Sequence, residues 1–181
     1  MPHATPNPAG EADPSTQTPT RRREDLILAE SDKTEGEMIL VLARNRATKD
    51  QLPYAGAVTP REAFRLTELG AARIIDVRTP AENYFVGRIN GSVLVPWQLE
   101  MPGDQDVSFL EKIAAVAKPS DTLLLLCRSA KRSHSAAIVL AQAGWSRAFN
   151  ILEGFEGEIN AVKRRGTMGG WRFHGLPWEQ N

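Results

Sequence analysis

The chain has 181 residues, 41% of them hydrophobic and 24% charged, which is enough material for one modest domain with a single core. Its 22 basic and 22 acidic side chains balance, so the total charge favours neither a nucleic acid nor a membrane as a partner. Cys127 is the one cysteine, which excludes an internal disulfide, a cysteine-based metal cluster and a second thiol in the same chain. We therefore expect no metal and no other cofactor, and any group that Cys127 acquires must pass to another molecule.

The N-terminal part is predicted to be a disordered tail over residues 1–25. Residues 1–20 carry five prolines and, apart from Met1, no large aliphatic or aromatic residue. The apolar stretches that follow, residues 26–29 and 38–43, are too short for an export signal or a membrane span. We therefore predict a cytoplasmic protein without a membrane partner.

Residues 26–54 form a predicted N-terminal extension with one amphipathic helix. This helix is expected to run from Glu35 to about Lys49, and Pro53 ends it. Four residues at helical spacing form its predicted packing face: Met38, Val41, Leu42 and Asn45.

The remaining residues, 55–181, alternate short apolar segments with helical ones. Thr59-Pro60-Arg61-Glu62 and Thr79-Pro80-Ala81-Glu82 are two helix starts, each with a capping threonine, a proline at the first helical position and a glutamate that closes a capping box. Strands are predicted at 74–77, 93–95, 122–126 and 148–152, and further helices at 108–117 and before Gly144. This alternation predicts an α/β fold with a central parallel sheet and helices on both faces.

Cys127 carries the strongest indication of function. It follows the apolar run 123–126 and opens a polar segment that leads into a helix. A loop between a buried parallel strand and a helix lies at the carboxyl edge of the sheet, where open α/β sheets place their sites. A helix N-terminus and three nearby cations favour the thiolate, so Cys127 is the candidate catalytic nucleophile. The alternative is a small buried residue that only fills space at a strand end.

The segment from Cys127 to Arg132 resembles the active-site loop of rhodanese-type sulfurtransferases, in which a cysteine opens a six-residue cradle. Three other segments are similar to signatures of that family and occur in the same order: 74–78, 87–92 and 170–177. The resemblance covers about residues 57–178. It implies a rhodanese-like domain and the activity of a thiosulfate sulfurtransferase.

Two positions depart from the family pattern. Arg88 stands where the family usually has histidine, and Ala130 stands where the loop usually has glycine. The second departure affects the geometry of the cradle if this position needs a positive φ. Asp76 and Arg78, which match the family, are expected to hold a strand end through hydrogen bonds.

The chemistry of the loop follows from its backbone. Amides of a tight loop that runs into a helix N-terminus form a nest for an anion, here the Cys127 thiolate and then its persulfide. A small anionic sulfur donor such as thiosulfate fits this nest, and cyanide, a small thiol or a sulfur-carrier protein fits as acceptor. Ser129 and Ser133 can each donate to the persulfide or cap the helix, and capping is the preferred role for Ser133. Arg132 is expected to contact the anion. The candidate substrate-binding residues are Arg128, Ser129, Ala130, Lys131, Arg132 and Ser133.

Two other functions compete with sulfur transfer. A cysteine-dependent phosphatase or arsenate reductase uses a longer cradle, in which the arginine is the sixth residue after the cysteine, whereas here that residue is Ser133. A non-catalytic interaction domain of the rhodanese type would be favoured if the cysteine were lost, but Cys127 is present.

Residues 156–170 form a predicted insertion between the last strand and the closing segment. It carries three consecutive cations, Lys163, Arg164 and Arg165, and it is flanked by glycines. The preferred interpretation is a solvated surface excursion, because loops tolerate insertion. The alternative is a rim of the active site that attracts anions or an acidic partner.

Overall fold

The computed structural model describes residues 23–98 and 108–181. Within these ranges the chain forms the following elements in order: α1 (Arg23–Asp50), β1 (Gly56–Val58), α2 (Pro60–Glu68), β2 (Arg73–Asp76), α3 (Pro80–Phe85), β3 (Val93–Leu94), α4 (Phe109–Val116), β4 (Leu123–Leu126), α5 (Lys131–Gln142) and β5 (Ala148–Ile151). The predicted tail lies outside the described residues up to position 22, and residues 23–25 belong to α1.

The five strands form one parallel sheet in the order β1-β5-β4-β2-β3. Its central strand is β4, whose residues Leu123 to Leu126 pair with Arg73 to Asp76 of β2. The carboxyl ends of β2, β4 and β5 therefore lie side by side, and the segments that leave them meet at one edge of the sheet. The predicted α/β class and parallel sheet are confirmed.

Hydrophobic cores cover both faces of the sheet. Leu124 and Leu126 of β4 pack into the cluster that contains α1 and α2. Leu123, Leu125 and Cys127 pack into the cluster on the opposite face, which contains α4 and α5. Because side chains alternate along a strand, the register of β4 directs Cys127 to the face that α5 covers.

Local signals in the sequence predicted most element starts. Both capping boxes are present, with the side chains of Thr59 and Thr79 accepting from the amides of Glu62 and Glu82. Strand β1 is an addition to the predicted elements, because its three residues are too few to form a periodic pattern.

Helix α1 is longer than predicted, and it packs through a different face. Leu40 and Ala43 are buried, whereas Met38, Val41 and Leu42 are about half exposed. The cause is a close approach to β1: a Cβ on Gly56 would lie 2.3 Å from the carbonyl oxygen of Ala43. Glycine at position 56 allows this contact, which turns Leu40 and Ala43 toward the sheet. The prediction that Met38, Val41, Leu42 and Asn45 form the packing face was therefore wrong.

Two ion pairs hold α1 against α2. Arg46 binds both carboxylate oxygens of Glu62, at 2.7 and 2.8 Å, and Arg65 binds Glu35. The N-terminal helix is thus packed on the domain, as expected. None of the described helices is long and apolar enough to cross a membrane, and the cytoplasmic location stays a prediction.

Candidate active site

Cys127 lies directly after β4, at the floor of a cleft of about 570 Å³. The residue is buried, with a relative exposure of 1%. Apart from Cys127, the cleft is lined by Thr79 and Glu82 at the start of α3, Gln98, the loop residues Arg128, Ser129, Lys131 and Arg132, and Arg165 of the insertion. The structure therefore brings the predicted loop residues and one residue of the insertion to the same place.

We call residues 127–132 the cradle loop. Three of its carbonyl groups, those of Cys127, Arg128 and Ala130, accept hydrogen bonds. The amide of Phe155 donates to the carbonyl of Cys127 at 2.7 Å, and the amide of Glu156 donates to that of Arg128 at 2.9 Å. The carbonyl of Ala130 accepts from the amide of His134 and from the side chain of Asn150.

The amides of the cradle loop, unlike these carbonyls, lack backbone hydrogen-bond partners among the described residues. In the part of the chain that the structure describes, the amides of residues 128–133 donate no backbone hydrogen bond. Three of them belong to the first turn of α5, where amides have no partner within the helix. This combination of held carbonyls and free amides is the backbone geometry of an anion-binding nest.

Gly154 allows the segment after β5 to lie directly against the backbone of the cradle loop. A Cβ at this position would lie 2.5 Å from the carbonyl oxygen of Cys127, and the residue has φ +68°. Glycine is therefore needed twice, for its positive φ and for the space. The segment that starts at Gly154 forms the back of the site.

Ala130 adopts the left-handed conformation that glycine usually takes at this place. It precedes α5 with φ 67° and ψ −6°. An alanine in this conformation costs roughly 1 kcal/mol relative to glycine. The hydrogen bond from Asn150 on β5 to its carbonyl helps to hold the strained residue in place.

Ser133 contacts the candidate nucleophile itself. It is buried in the first turn of α5, and its hydroxyl lies 3.2 Å from the sulfur of Cys127. No side chain caps α5, so the preferred role of Ser133 as a helix cap was wrong, whereas the alternative role as a donor to the sulfur agrees with this contact.

Arg132 is held by a partner that sequence reasoning missed. Its two terminal nitrogens donate to the two carboxylate oxygens of Glu82, at 2.6 and 2.7 Å. Glu82 also closes the capping box of α3 with Thr79, and so one carboxylate links the starts of α3 and α5. The capping box identified Glu82 as structural, but no local pattern connects residues 50 positions apart.

The ion pair shifts the pKa of both Glu82 and Arg132. Burial alone would raise the pKa of Glu82, but hydrogen bonds from Arg132 and Thr79 and the charge of Arg132 lower it to about 2. Burial alone would lower the pKa of Arg132. The hydrogen bonds and the charge of Glu82 raise the pKa of Arg132 above its ordinary value, and the charges of Cys127 and Asp76 add smaller effects in the same direction. Arg132 therefore keeps its charge as a clamp for the cradle loop, and the expected contact with a bound anion stays a prediction.

The other predicted basic residues differ in their surroundings. Arg128 is exposed, and Lys131 is exposed and forms an ion pair with Glu158 of the insertion at 3.5 Å. In the insertion, Lys163 and Arg164 are exposed, as the solvated interpretation predicted. Arg165 instead lines the active-site cleft and donates to the carbonyl of Gly157 at 2.7 Å, which fits the rim interpretation.

Asp76 and Arg78 hold the end of β2, as predicted. Both side chains are fully buried, and Arg78 binds the carboxylate of Asp76 at 2.6 Å and the carbonyl of Gly87 at 2.8 Å. The guanidinium also lies 4.2 Å from the ring centre of Phe155. The pair fixes the strand end beside the cradle loop, and neither residue lines the cleft.

Comparison with known proteins agrees with this geometry. A family model described as a rhodanese-like domain matches residues 59–160. An uncharacterized protein of Rickettsia conorii is 34% identical over 117 residues, which cover 60% of this chain and 83% of that protein. The thiosulfate sulfurtransferase GlpE of Pseudomonas paraeruginosa is 31% identical over 99 residues, which cover 55% of this chain and 79% of that enzyme.

A solved structure has a similar fold. The crystal structure of Rv0390 from M. tuberculosis matches with a TM-score of 0.64 and 38% sequence identity, and the match covers 71% of this chain and 99% of that one. The family match itself spans both capping boxes and the whole cradle loop, and it ends within the insertion. The chain therefore belongs to the rhodanese-like domain family, which includes proteins named sulfurtransferases.

Proposed function

We propose that this protein is a sulfurtransferase that moves sulfane sulfur from thiosulfate, or a related small anionic donor, through a persulfide on Cys127. The acceptor is a nucleophile such as cyanide, a small thiol or a sulfur-carrier protein. The observation that carries the proposal is the setting of the Cys127 sulfur, which lies at the floor of a cleft beside free backbone amides and a hydroxyl donor 3.2 Å away. The relative named thiosulfate sulfurtransferase supports the choice of donor.

The first half-reaction loads the cysteine. The Cys127 thiolate attacks the outer sulfur of thiosulfate, the sulfur–sulfur bond of the donor breaks, and sulfite leaves with the electron pair. The products are Cys127–S–S⁻ and sulfite, so the charge and the atoms balance. The free amides of the cradle loop stabilise the negative charge of the persulfide, as a nest stabilises an anion. Sulfite is a good leaving group, so this step needs no general acid.

The second half-reaction transfers the outer sulfur of the Cys127 persulfide to the acceptor. Cyanide attacks the outer sulfur of the persulfide, the bond between the two sulfurs breaks, and thiocyanate leaves while Cys127 returns to the thiolate. Because the chain has no second thiol to resolve the persulfide, the acceptor must come from another molecule. A covalent intermediate between two separate substrates predicts ping-pong kinetics.

The pairing of Arg132 disfavours a phosphatase. A phosphate site needs a guanidinium that can take the phosphate oxygens, and both terminal nitrogens of Arg132 are bound to Glu82. The presence of Cys127 in the cleft likewise disfavours a purely non-catalytic domain.

The test is steady-state turnover of thiosulfate and cyanide to thiocyanate. We expect parallel double-reciprocal lines for the two substrates, and we expect Cys127→Ser to lower turnover by at least about a thousandfold because the nucleophile is lost. Serine has nearly the same size as cysteine, so an unchanged melting temperature separates loss of chemistry from loss of fold. Turnover by Cys127→Ser at the rate of the parent would overturn the proposal.

A further inference from the structure

A second, smaller cleft adjoins the catalytic one. It has a volume of about 280 Å³ and is lined by Glu156, Arg165, Gly166, Arg172 and Trp178. Two observations show that the clefts are neighbours. Arg165 lines both of them, and the amide of Glu156 donates to the carbonyl of Arg128 in the cradle loop. A molecule in the second cleft is therefore next to the active site.

Arg172 presents its guanidinium to this second cleft. The side chain is exposed, its guanidinium lies 4.4 Å from the ring centre of Trp178, and the guanidinium nitrogens form no hydrogen bond or ion pair with the described residues. Stacking on an aromatic ring holds a guanidinium flat and leaves the N–H groups at its edge available. Arg172 is thus oriented for an anion without being neutralised by the protein.

Arg165 adds a second, partly used guanidinium. One of its terminal nitrogens donates to the carbonyl of Gly157, and that bond fixes the side chain between the two clefts. Its remaining nitrogens form no other hydrogen bond with the part of the chain described here. Glu156 is the one carboxylate among the described lining residues, so the second cleft carries an excess of positive charge.

Building on the proposed function, we infer that the second cleft binds the carboxylate of a thiol acceptor whose sulfur reaches the persulfide on Cys127. Paired guanidinium groups match the planar carboxylate, which accepts two parallel N–H hydrogen bonds. In the proposed function the compact donor thiosulfate binds at the amides of the cradle loop. The second cleft, which shares Arg165 with the catalytic cleft, therefore serves the half-reaction with the acceptor.

The transfer balances without any oxidant or reductant. The acceptor R–SH and Cys127–S–S⁻ give R–S–SH and Cys127–S⁻. The acceptor sulfur bonds to the outer sulfur of the persulfide, the bond between that sulfur and the Cys127 sulfur breaks, and its electron pair returns to Cys127. The thiol proton passes to the transferred sulfur. The carboxylate of the acceptor takes no part in the chemistry and only positions the thiol.

The test compares matched acceptors on the full-length protein loaded with thiosulfate. Straight-chain mercapto acids are paired with mercapto alcohols of equal chain length, and the measured quantity is the ratio of their kcat/KM values at low ionic strength. The variants are Arg165→Gln and Arg172→Gln, with Arg172→Lys to retain the charge. Arg164→Gln is the matched control, because it removes the same charge from an exposed position in the insertion.

At the best chain length we expect the parent to prefer the acid by about tenfold, the usual effect of one charge-assisted contact. Arg165→Gln and Arg172→Gln should each reduce this ratio to within about twofold of unity. Arg172→Lys should keep part of the preference for the acid, and Arg164→Gln should keep all of it. A ratio near unity at every length in the parent would overturn the inference. An equal loss in Arg164→Gln would also overturn it, since it would indicate a general field and not a site.

Turnover with cyanide, measured on the same preparations, separates this inference from the proposed function. If sulfur passes to cyanide and the acids have no advantage, only the second cleft has been misinterpreted. If sulfur passes to neither cyanide nor any thiol, and Cys127 gains no sulfur, the proposed function fails and this inference fails with it.

Discussion

The cradle loop and the insertion, residues 156–170, follow neighbouring strands at the same edge of the sheet, but they are held in different ways. The cradle loop has its carbonyls bound by Phe155, Glu156 and Asn150, and Arg132 is clamped by Glu82. In the insertion, Lys163 and Arg164 project into solvent and only Arg165 turns toward the cleft. The cradle loop lies at the cleft with its backbone amides free of backbone partners among the described residues, and the insertion contributes the side chain of Arg165 to the cleft.

We infer from this difference that the cradle loop serves the chemical step and the insertion serves recognition of the acceptor. A backbone nest functions only if several successive amides point in one direction, and the hydrogen bonds to the carbonyls of Cys127, Arg128 and Ala130 fix the loop. A guanidinium needs only one anchor, which Gly157 provides for Arg165. We therefore expect changes in the supports of the cradle loop to have large effects and equivalent changes in the insertion to have small ones.

The largest difference is predicted for two glycines with similar backbone conformations. Gly154 (φ +68°) supports the cradle loop, and Gly166 (φ +73°) lies in the insertion with no atom within 4 Å of the place that a Cβ would take. Gly154→Ala forces its Cβ against the carbonyls of Cys127 and Arg128, so we expect a loss of more than about 3 kcal/mol of unfolding free energy. Gly166→Ala should cost about 1 kcal/mol, the effect of the positive φ alone.

Urea unfolding of the two variants measures this difference. The rate of persulfide formation from thiosulfate should fall strongly in Gly154→Ala and stay close to the parent rate in Gly166→Ala. Equal losses of stability in both variants would contradict the view that Gly154 supports the loop through contact.

A smaller effect is predicted for the two ion pairs that contact the loop. Glu82→Gln leaves the half-buried Arg132 without its partner, and we expect kcat/KM for thiosulfate to fall by about ten- to a hundredfold. Glu158→Gln breaks the exposed pair with Lys131, and we expect a change of less than about twofold, because surface pairs contribute little. A large effect of Glu158→Gln at low ionic strength would instead give the insertion a part in positioning the loop.

The lowered pKa of Glu82 adds a dependence on pH to the same pair. A carboxylate whose pKa falls from 4.5 in the unfolded chain to about 2 in the folded protein stabilises the folded state fully above the unfolded value. That stabilisation is lost as the pH falls from about 4.5 toward 2. In Glu82→Gln this part of the acid sensitivity should be absent, and the melting temperatures of parent and variant should converge at low pH.

The sequence predicted those features that depend on neighbours in the chain. Both capping boxes, the strand that ends at Leu126 and the loop that opens at Cys127 were identified from residues within a few positions of one another. The place of Cys127 at the carboxyl edge followed from the general rule for parallel sheets. The departure at Ala130 was recognised as well, although only the structure establishes that its φ is positive.

The features that the sequence missed depend on contacts between distant segments. The packing face of α1 is decided by the approach of Ala43 to Gly56, and the more apolar-looking face of the helix stays exposed. Glu82 and Arg132 meet because α3 and α5 start at the same edge of the sheet. The position of Arg165 depends on the path of the insertion, which no periodic pattern specifies.

The most direct test of the account is the intact mass of the protein after incubation with thiosulfate and removal of the excess. We predict a gain of about 32 Da, one sulfur atom, which maps to the peptide that contains Cys127 and disappears on addition of cyanide. The parent without thiosulfate and the Cys127→Ser variant with thiosulfate should keep their calculated masses. An unmodified Cys127 under conditions in which the protein produces thiocyanate would contradict the account.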